Sequence, residues 1–313
     1  MENKEDPQKL IKKAEKLLKP GLLKSIFSRT EDRIEEAIEL YNAAAQIYNI
    51  EKNYKKSAKY FLESAQLKIN INENPEEEYK ETLNCYKKLN DNDNYNKILN
   101  EFINNYLKKG EFSSAAKYEF EKGKNLSKDK SKIKETLESY EKALDYFNMD
   151  KDSSKIEISE VKIAKADLIC LNEIKENLYE AHNIYDEIGN EKKEKSKILS
   201  YEFYTKNIIS YLYFDDALSS KAYFHKYCEN DSYFENSEIG KLINDLITIF
   251  ENEENNITNE NLTFDIALLN FSVNNKNKKL YDFWMEEMIE KLRKKLEKIR
   301  KEKPNFAEEE DFK

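Results

Sequence analysis

Side chains that could carry acid–base or metal chemistry are scarce in this chain. Two histidines, His182 and His225, and three cysteines, Cys85, Cys170 and Cys228, are spread over 313 residues. His225 and Cys228 have the spacing of half a zinc site, but no second half follows at a suitable distance. We therefore predict no metal site and no cofactor. The cysteines are expected to be reduced core thiols of a cytosolic protein.

Motifs for nucleotide binding or nucleophilic catalysis are also missing from the sequence. It contains no glycine-rich phosphate loop, no nucleophile elbow and no HExxH motif. The paired acids mostly have the spacing of ion pairs on a helix surface. We predict that the protein is not an enzyme, so its function should depend on which of its surfaces are basic, acidic or apolar.

The composition favours an almost entirely helical protein. The chain is 39% hydrophobic and 37% charged, and it has only 5 Gly and 4 Pro, the residues that interrupt helices. No window approaches the ~18 apolar residues of a membrane span, and the N-terminus lacks the apolar region of a signal peptide. A net charge of -9 argues against general nucleic-acid binding. We expect a soluble, cytoplasmic protein.

The segment 33–68 has the pattern of two antiparallel helices. Apolar side chains recur at steps of three and four residues on both sides of the short polar turn Glu51–Asn53. Small residues such as Ala37 and Ala44 allow the helices to approach closely. Because one such pair cannot bury its own apolar face, it needs similar pairs beside it.

Similar units recur along the chain, each marked by a small or β-branched residue with a tyrosine four positions later. The four markers are Ala37 with Tyr41, Thr82 with Tyr86, Thr136 with Tyr140, and Ala181 with Tyr185. Their spacing is irregular, which predicts a solenoid whose helices are longer than those of a tetratricopeptide repeat. Gly110 and Gly189 stand where C-terminal helix caps are expected.

The predicted fold class is all-α: a twisted solenoid of antiparallel, TPR-like helix pairs with a C-terminal helical bundle. We predict a frayed N-terminus over residues 1–7 and the solenoid over 8–232, with an apolar loop at 20–28. The bundle is predicted over 233–304, and an acidic tail over 305–313. A long final helix, Leu280–Lys303, holds the only tryptophan, Trp284.

Five groups of residues, in this order, carry motifs of one known family. They are Ile34–Ala37 with Leu40–Ala44, Ser64–Leu67, Gly110–Lys117, Leu280–Trp284 and Glu309–Lys313. Together they resemble the soluble NSF attachment proteins of the alpha/beta type, which join SNARE complexes to the hexameric ATPase NSF. The resemblance extends over nearly the whole chain. It implies an adaptor for SNARE disassembly in vesicle fusion and membrane traffic. The alternative is a general TPR-like scaffold or co-chaperone that binds acidic peptides.

The resemblance also implies which side chains contact the SNARE complex. In the family, basic side chains on the concave face of the solenoid clasp the acidic four-helix SNARE bundle. Lys117 and Lys162 fall on matching positions, and Lys55, Lys56 and Lys59 would extend the basic patch. Any one of these lysines also fits the pattern of an ordinary solvated helix surface.

Two further contacts are implied near the ends of the chain. The first is a membrane contact, because the family's membrane-touching loop aligns with Leu22, Leu23, Ile26 and Phe27. Burying these four side chains at a bilayer interface would contribute several kcal/mol, at about 25 cal/mol per Å². The protein is therefore expected to be peripheral on membranes. The competing interpretation is a loop folded onto the first helices.

The second implied contact is with the NSF ATPase. Asp216, Glu253 and Glu254 match acids of the family surface that meets NSF. Phe312 replaces the family's penultimate leucine, which is associated with stimulation of the ATPase.

Overall fold

The computed structural model describes residues 6–19, 30–257, 262–274 and 282–302. Within these ranges the chain forms fifteen α-helices and no β-strand, which confirms the all-α prediction. None of the helices there has both the length and the apolar character needed to cross a bilayer. The chain forms two compact units, Met1–Ser153 and Ser154–Lys313. The predicted boundary between solenoid and bundle, at residue 232, falls inside the second unit and stays a prediction.

The first unit is a succession of seven helices. They are α1 (Pro7–Leu17), α2 (Thr30–Ile50), α3 (Tyr54–Asn70), α4 (Glu76–Leu89), α5 (Asn92–Lys109), α6 (Phe112–Leu126) and α7 (Ile133–Met149). Each helix packs mainly against the next one in the chain. This nearest-neighbour packing is the arrangement of a helical solenoid.

The predicted opening helix pair is present as α2 and α3. The turn between them is closed by Lys52, whose φ of 59° is left-handed, and Asn53 caps α3 with its side-chain oxygen. Tyr60 of α3 stacks between Tyr41 and Tyr48 of α2, with ring centres 5.8 and 5.9 Å apart. Stacked tyrosine rings are therefore part of the contact between the two helices.

The residues that mark the repeats lie where helices press together. Ala37, Thr82, Thr136 and Ala181 are all completely buried. Gly110 ends α5 with a φ of 74°, a conformation that glycine adopts without strain, so its predicted role as a helix cap is confirmed.

The second unit contains the remaining eight helices. They are α8 (Lys155–Leu171), α9 (Leu178–Lys195), α10 (Lys197–Phe214), α11 (Ala217–Asn230), α12 (Ser232–Asn236), α13 (Glu238–Glu254), α14 (Phe264–Asn274) and α15 (Phe283–Glu302). Helices α8 to α11 continue the pattern of sequential packing, whereas α13 packs on α10 and α11. The final helix packs on α8, α10 and α13, with Trp284 buried, so it closes this unit.

The prediction that Gly189 ends a helix was wrong. This glycine lies inside α9, which continues to Lys195. A Cβ atom at position 189 would lie 2.8 Å from Cε1 of Tyr204 on α10. Glycine is needed here because the ring of Tyr204 lies directly against the backbone of α9. The sequence pattern does not distinguish a glycine at such a close helix contact from a glycine that caps a helix.

Candidate functional site

The predicted basic patch of the first unit includes three exposed lysines on α3, namely Lys55, Lys56 and Lys59. Nζ of Lys56 lies 5.1 Å from the ring centre of Tyr48, and Nζ of Lys59 lies 5.3 Å from that of Tyr60. Each exposed cation–π contact contributes only about 0.5–1 kcal/mol. The contacts nevertheless place the ammonium groups of Lys56 and Lys59 over the rings of Tyr48 and Tyr60.

Lys117 lies on a different part of the first unit. It is an exposed residue of α6, one turn after the helix begins, and the neighbouring Ala115 and Ala116 are buried. In the packing order, α4 and α5 lie between α6 and α3. The structure thus places Lys117 on a separate helix repeat from the three lysines of α3.

Lys162 of α8, in the second unit, is engaged in an ion pair that sequence reasoning missed. Its Nζ lies 2.8 Å from Oε1 and 3.2 Å from Oε2 of Glu187 on α9. The two side chains are 29% and 59% exposed, so the pair contributes at most about 1 kcal/mol. An acidic partner of Lys162 would therefore compete with a weakly held carboxylate.

The predicted membrane-contact residues Leu22, Leu23, Ile26 and Phe27 lie outside the described residues, and so does Phe312. Their predicted contacts with a membrane and with NSF remain predictions from the sequence.

The three predicted acids that are described lie close together in the second unit. Asp216 caps α11, where its Oδ1 accepts a hydrogen bond from the backbone N–H of Ser219 at 2.6 Å. This bond holds the pKa of Asp216 below its ordinary value. Glu254, at the end of α13, accepts a bond from the backbone N–H of Ala217 at 3.3 Å. Two carboxylates thus accept from N–H groups at the start of one helix, which have no acceptor within the helix itself. Glu253 stands beside Glu254.

Basic side chains from the final helix reach the same place. Nζ of Lys295 donates to the carbonyl oxygens of Leu212 and Asp215, at 2.8 and 3.0 Å, just where α10 ends. Burial lowers the pKa of Lys295, while three neighbouring carboxylates oppose this shift. Arg300 donates from Nε to Glu253. A cation at the C-terminal end of a helix is favourable because the last carbonyl groups carry partial negative charge.

These groups form a surface that we call the acidic end. It consists of the carboxylates of Asp215, Asp216, Glu251, Glu253 and Glu254 together with the cations of Lys221, Lys295 and Arg300. Five negative and three positive charges leave a net charge of minus two. The acidic end can therefore attract a basic partner while its own ion pairs hold its shape. The three cations and the carboxylates of Asp215 and Glu251 were not predicted as site residues, although the basic second half of the final helix is visible in the sequence.

A buried ionic cluster in the second unit was also missed. Nζ of Lys206 lies 3.0 Å from Asp167, 3.5 Å from Glu202 and 3.5 Å from Asp282, and it stands 5.3 Å from the ring centre of Trp284. Burial lowers the pKa of Lys206, but the carboxylates outweigh it, so the pKa lies above its ordinary value. The charged lysine connects α10 with α8 and with the start of α15.

His182 has a structural environment. It is buried in α9, its Nδ1 lies 2.8 Å from Oδ1 of Asn207, and its ring stacks on Tyr211 with centres 3.7 Å apart. Burial lowers its pKa, although the bond to Asn207 opposes the shift. The ring is therefore held neutral inside the helix packing.

Comparison with known proteins gives a consistent result. The family model described as "Soluble NSF attachment protein, SNAP" matches residues 5–297. The chain is 27% identical over 190 residues to the vesicular-fusion protein SEC17 of Komagataella phaffii. The aligned region covers 59% of this chain and 63% of that protein. It is 27% identical over 159 residues to the beta-soluble NSF attachment protein of Bos taurus, covering 50% of this chain and 53% of that protein.

A third relative is the alpha-soluble NSF attachment protein of Saccharomyces cerevisiae. It is 29% identical over 149 residues, which cover 46% of this chain and 51% of that protein. The chain thus spans between half and two thirds of the length of these three relatives.

Proposed function

Because the chain belongs to the soluble NSF attachment protein family, we propose that it is an adaptor in vesicle fusion and membrane traffic. It binds assembled SNARE complexes and recruits and stimulates the NSF ATPase, which takes them apart. Proteins of this family are non-catalytic adaptors, in agreement with the prediction that this chain is not an enzyme. It works in the cytoplasm and peripherally on membranes.

The observation that carries this proposal is the acidic end of the second unit. Asp216, Glu253 and Glu254 were each assigned to NSF contact by resemblance to the family, although they are up to 38 positions apart in the sequence. Their convergence on one surface, at the ends of three helices, supports a single docking site for a basic domain. A scattered arrangement would have argued against it.

The SNARE complex is proposed to contact Lys117 and Lys162, with Lys55, Lys56 and Lys59 as further basic contacts. Lys55, Lys56, Lys59 and Lys117 are exposed, whereas Lys162 is half-buried and forms an ion pair with Glu187. An acidic side chain of the SNARE bundle would replace Glu187, so binding exchanges one ion pair for another. This exchange favours specificity and encounter rate more than raw affinity.

The first experiment measures binding of the full chain to an assembled four-helix SNARE complex at low and at moderate salt. Wild type is compared with Lys117→Glu/Lys162→Glu. We expect wild-type binding that weakens with salt and is lost in the double variant, because both substitutions place a negative charge against an acidic bundle.

The matched control is Lys134→Glu/Lys241→Glu, which makes the same change of charge at exposed lysines outside the proposed contacts. It should retain most of the wild-type binding. If wild type binds no SNARE complex, the adaptor proposal is overturned in favour of a peptide-binding scaffold. Equal loss in both double variants would mean that net charge, and not the positions of Lys117 and Lys162, governs binding.

A second experiment tests the acidic end through binding to the N-terminal domain of NSF. Asp216→Asn combined with Glu253→Gln and Glu254→Gln removes three charges, and asparagine still caps a helix. We expect weaker binding with little change in helix content by circular dichroism. Unchanged binding would remove the acidic end from the proposed docking site. Removal of residues 312–313 should reduce stimulation of the ATPase without reducing binding to SNARE complexes.

A further inference from the structure

A groove with an excess of lysine side chains lies beside the final helix of the second unit. Its volume is about 600 Å³, and it is lined by α15, the end of α10 and the segment between α8 and α9. Five lysines and three glutamates give this lysine groove a net charge of plus two, in a chain whose net charge is -9. The rings of Tyr213 and Phe214 add apolar surface to it. These features suit a ligand that carries both negative charge and an apolar side chain.

Two of the groove lysines on α15 are only weakly held by their present partners. Nζ of Lys294 lies 3.4 Å from Glu290, and Nζ of Lys298 lies 3.7 Å from Glu302. The two lysine side chains are 71% and 74% exposed. Exposed ion pairs between successive turns of one helix contribute only about 0.3–0.5 kcal/mol. Another carboxylate can therefore replace either partner at little cost.

The other three groove lysines differ in their surroundings. Lys291 pairs with Glu173, and Lys295 donates to carbonyl oxygens at the end of α10, so both are engaged within the unit. Lys175 is exposed and lies between α8 and α9. It is the one lysine of the groove lining that does not belong to α15.

The sequence that follows α15 has chemistry complementary to the lysine groove. The acidic tail contains four consecutive acids, Glu308–Asp311, which are preceded by Phe306 and followed by Phe312. Separate carboxylates along a peptide can each face one lysine. Such spacing suits a groove in which lysines and glutamates are mixed better than one compact anion does, because a compact anion cannot avoid the glutamates.

The tail is also long enough to reach the groove. Helix α15 ends at Glu302, and Lys298 and Lys294 lie four and eight residues before this end, about 6 and 12 Å along the helix. Glu308 comes six residues after Glu302, a length of chain that spans up to about 20 Å when extended. Pro304 disfavours continuation of the helix, so the chain can turn back at this point. The acids can therefore lie beside α15.

Attachment to the same chain favours the tail over a separate molecule. A short flexible linker gives an attached segment an effective concentration in the millimolar range. Contacts that are too weak to hold a free peptide at micromolar concentration can therefore hold the tail.

We propose that, in the free protein, the acidic tail folds back along α15 and occupies the lysine groove. Phe312 contacts the aromatic rings, and the acids Glu308–Asp311 face the exposed lysines Lys175, Lys294 and Lys298. This contact goes beyond the proposed function and does not depend on it, because it concerns the protein without partners.

The first test joins neighbouring carboxylates and amines with a water-soluble carbodiimide, which converts each pair into an amide. The full chain is treated at low protein concentration, and the monomer is digested and analysed by mass spectrometry. We expect amides between the tail acids and Lys175, which lies more than 130 positions before them in the sequence. The exposed Lys155, outside the groove in the same unit, should form none. Absence of tail amides at Lys175 would overturn the proposal.

A mixture of ¹⁵N-labelled and unlabelled chains identifies the source of the tail. Amides formed within one chain join two peptides with the same label. Amides that join a labelled to an unlabelled peptide show that the tail of a second copy occupies the groove. A predominance of such mixed products would overturn the proposed fold-back.

Substitutions then test the contribution of the lysines. Lys294→Glu/Lys298→Glu should lower the yield of the Lys175 amide about fivefold, because the net charge of the groove changes from plus two to minus two. The matched control, Lys155→Glu/Lys241→Glu, makes the same change of charge at exposed lysines outside the groove and should keep the wild-type yield. A wild-type yield in Lys294→Glu/Lys298→Glu would refute the charge pairing.

A variant of the tail leaves α15 as it is, so its result stands even where substitutions on α15 disturb folding. The four acids are replaced by amides: Glu308→Gln, Glu309→Gln, Glu310→Gln and Asp311→Asn. Backbone amide signals in nuclear magnetic resonance spectra of the full chain report on the groove. We expect the signals of Phe214 and Lys294 to move from their wild-type positions, and that of Lys155 to stay. Unmoved signals at Phe214 and Lys294 would overturn the proposal.

Discussion

Replacing Lys206 with methionine is expected to destabilise the second unit by about 3 kcal/mol. The lysine side chain is 4% exposed, and its Nζ lies 3.0–3.5 Å from three carboxylates. Glu202 and Asp282 are 40% and 43% exposed, so water can solvate them after the change. Asp167 is only 24% exposed and would lose its main counter-charge. Breaking a buried ion pair costs about 3–5 kcal/mol, and the hydrogen bond from Tyr185 to Asp167 places the expected loss at the lower end.

Urea unfolding followed by the fluorescence of Trp284 measures this loss where it occurs, since the only tryptophan stands 5.3 Å from Lys206. The matched control is Lys221→Met, because this lysine is 43% exposed and its pair with Glu251 contributes less than about 1 kcal/mol. Lys206→Met/Asp167→Asn should recover more than half of the loss. A stability of Lys206→Met within about 0.5 kcal/mol of wild type would refute the reasoning.

Three further predictions concern packing, pH and binding. Gly189→Ala should lower the midpoint of thermal unfolding, because its Cβ would lie 2.8 Å from Tyr204 and overpacking costs about 1–3 kcal/mol. Burial lowers the pKa of His182, so its contribution to stability is complete above the ordinary histidine pKa of about 6.5 and is lost as the pH falls. His182→Gln should therefore reduce the dependence of the urea midpoint on pH between about 7 and 5. Glu187→Gln should strengthen SNARE-complex binding about twofold at low salt, because it releases Lys162 from its ion pair.

Each of these predictions has a contradicting outcome. An unchanged melting curve for Gly189→Ala would mean that the Tyr204 ring moves aside at little cost. An identical pH profile for His182→Gln would assign the acid sensitivity of the protein's stability to other titrating groups. If Glu187→Gln binds SNARE complexes no better than wild type, Lys162 does not contact them.

The helices and their packing order were predictable because their signals are local. The small residue followed by a tyrosine at one helical turn marks a buried face, and Ala37, Thr82, Thr136 and Ala181 are indeed buried. The same holds for Gly110, whose place after a helical stretch predicts a cap. Gly189 shows the limit, because close contact with a ring from another helix leaves no mark in the sequence around it.

The ionic contacts of the candidate sites were not predictable from sequence patterns. Lys162 and Glu187 are 25 positions apart, and Lys206 and Asp167 are 39 apart. Such pairs form because two helices pack with particular faces turned toward each other. That orientation depends on the shapes of the core side chains, which the periodicity of apolar residues in the sequence does not specify. Family resemblance gave three of the five acids of the acidic end, Asp216, Glu253 and Glu254, but not the cations that pair with them.

The hydrogen bonds at the start of α11 determine how the second unit would respond to a mechanical force. Glu254 satisfies the N–H of Ala217, and Asp216 satisfies that of Ser219. A partner cation that draws Glu254 away leaves a helix-end donor unsatisfied, so docking and fraying of this turn are linked by one coupling free energy. Because coupling is reciprocal, a change that stabilises the first turn of α11 against fraying lowers the affinity for the docked partner by the same factor. A pull applied by a docked partner would then open α11 from its first turn.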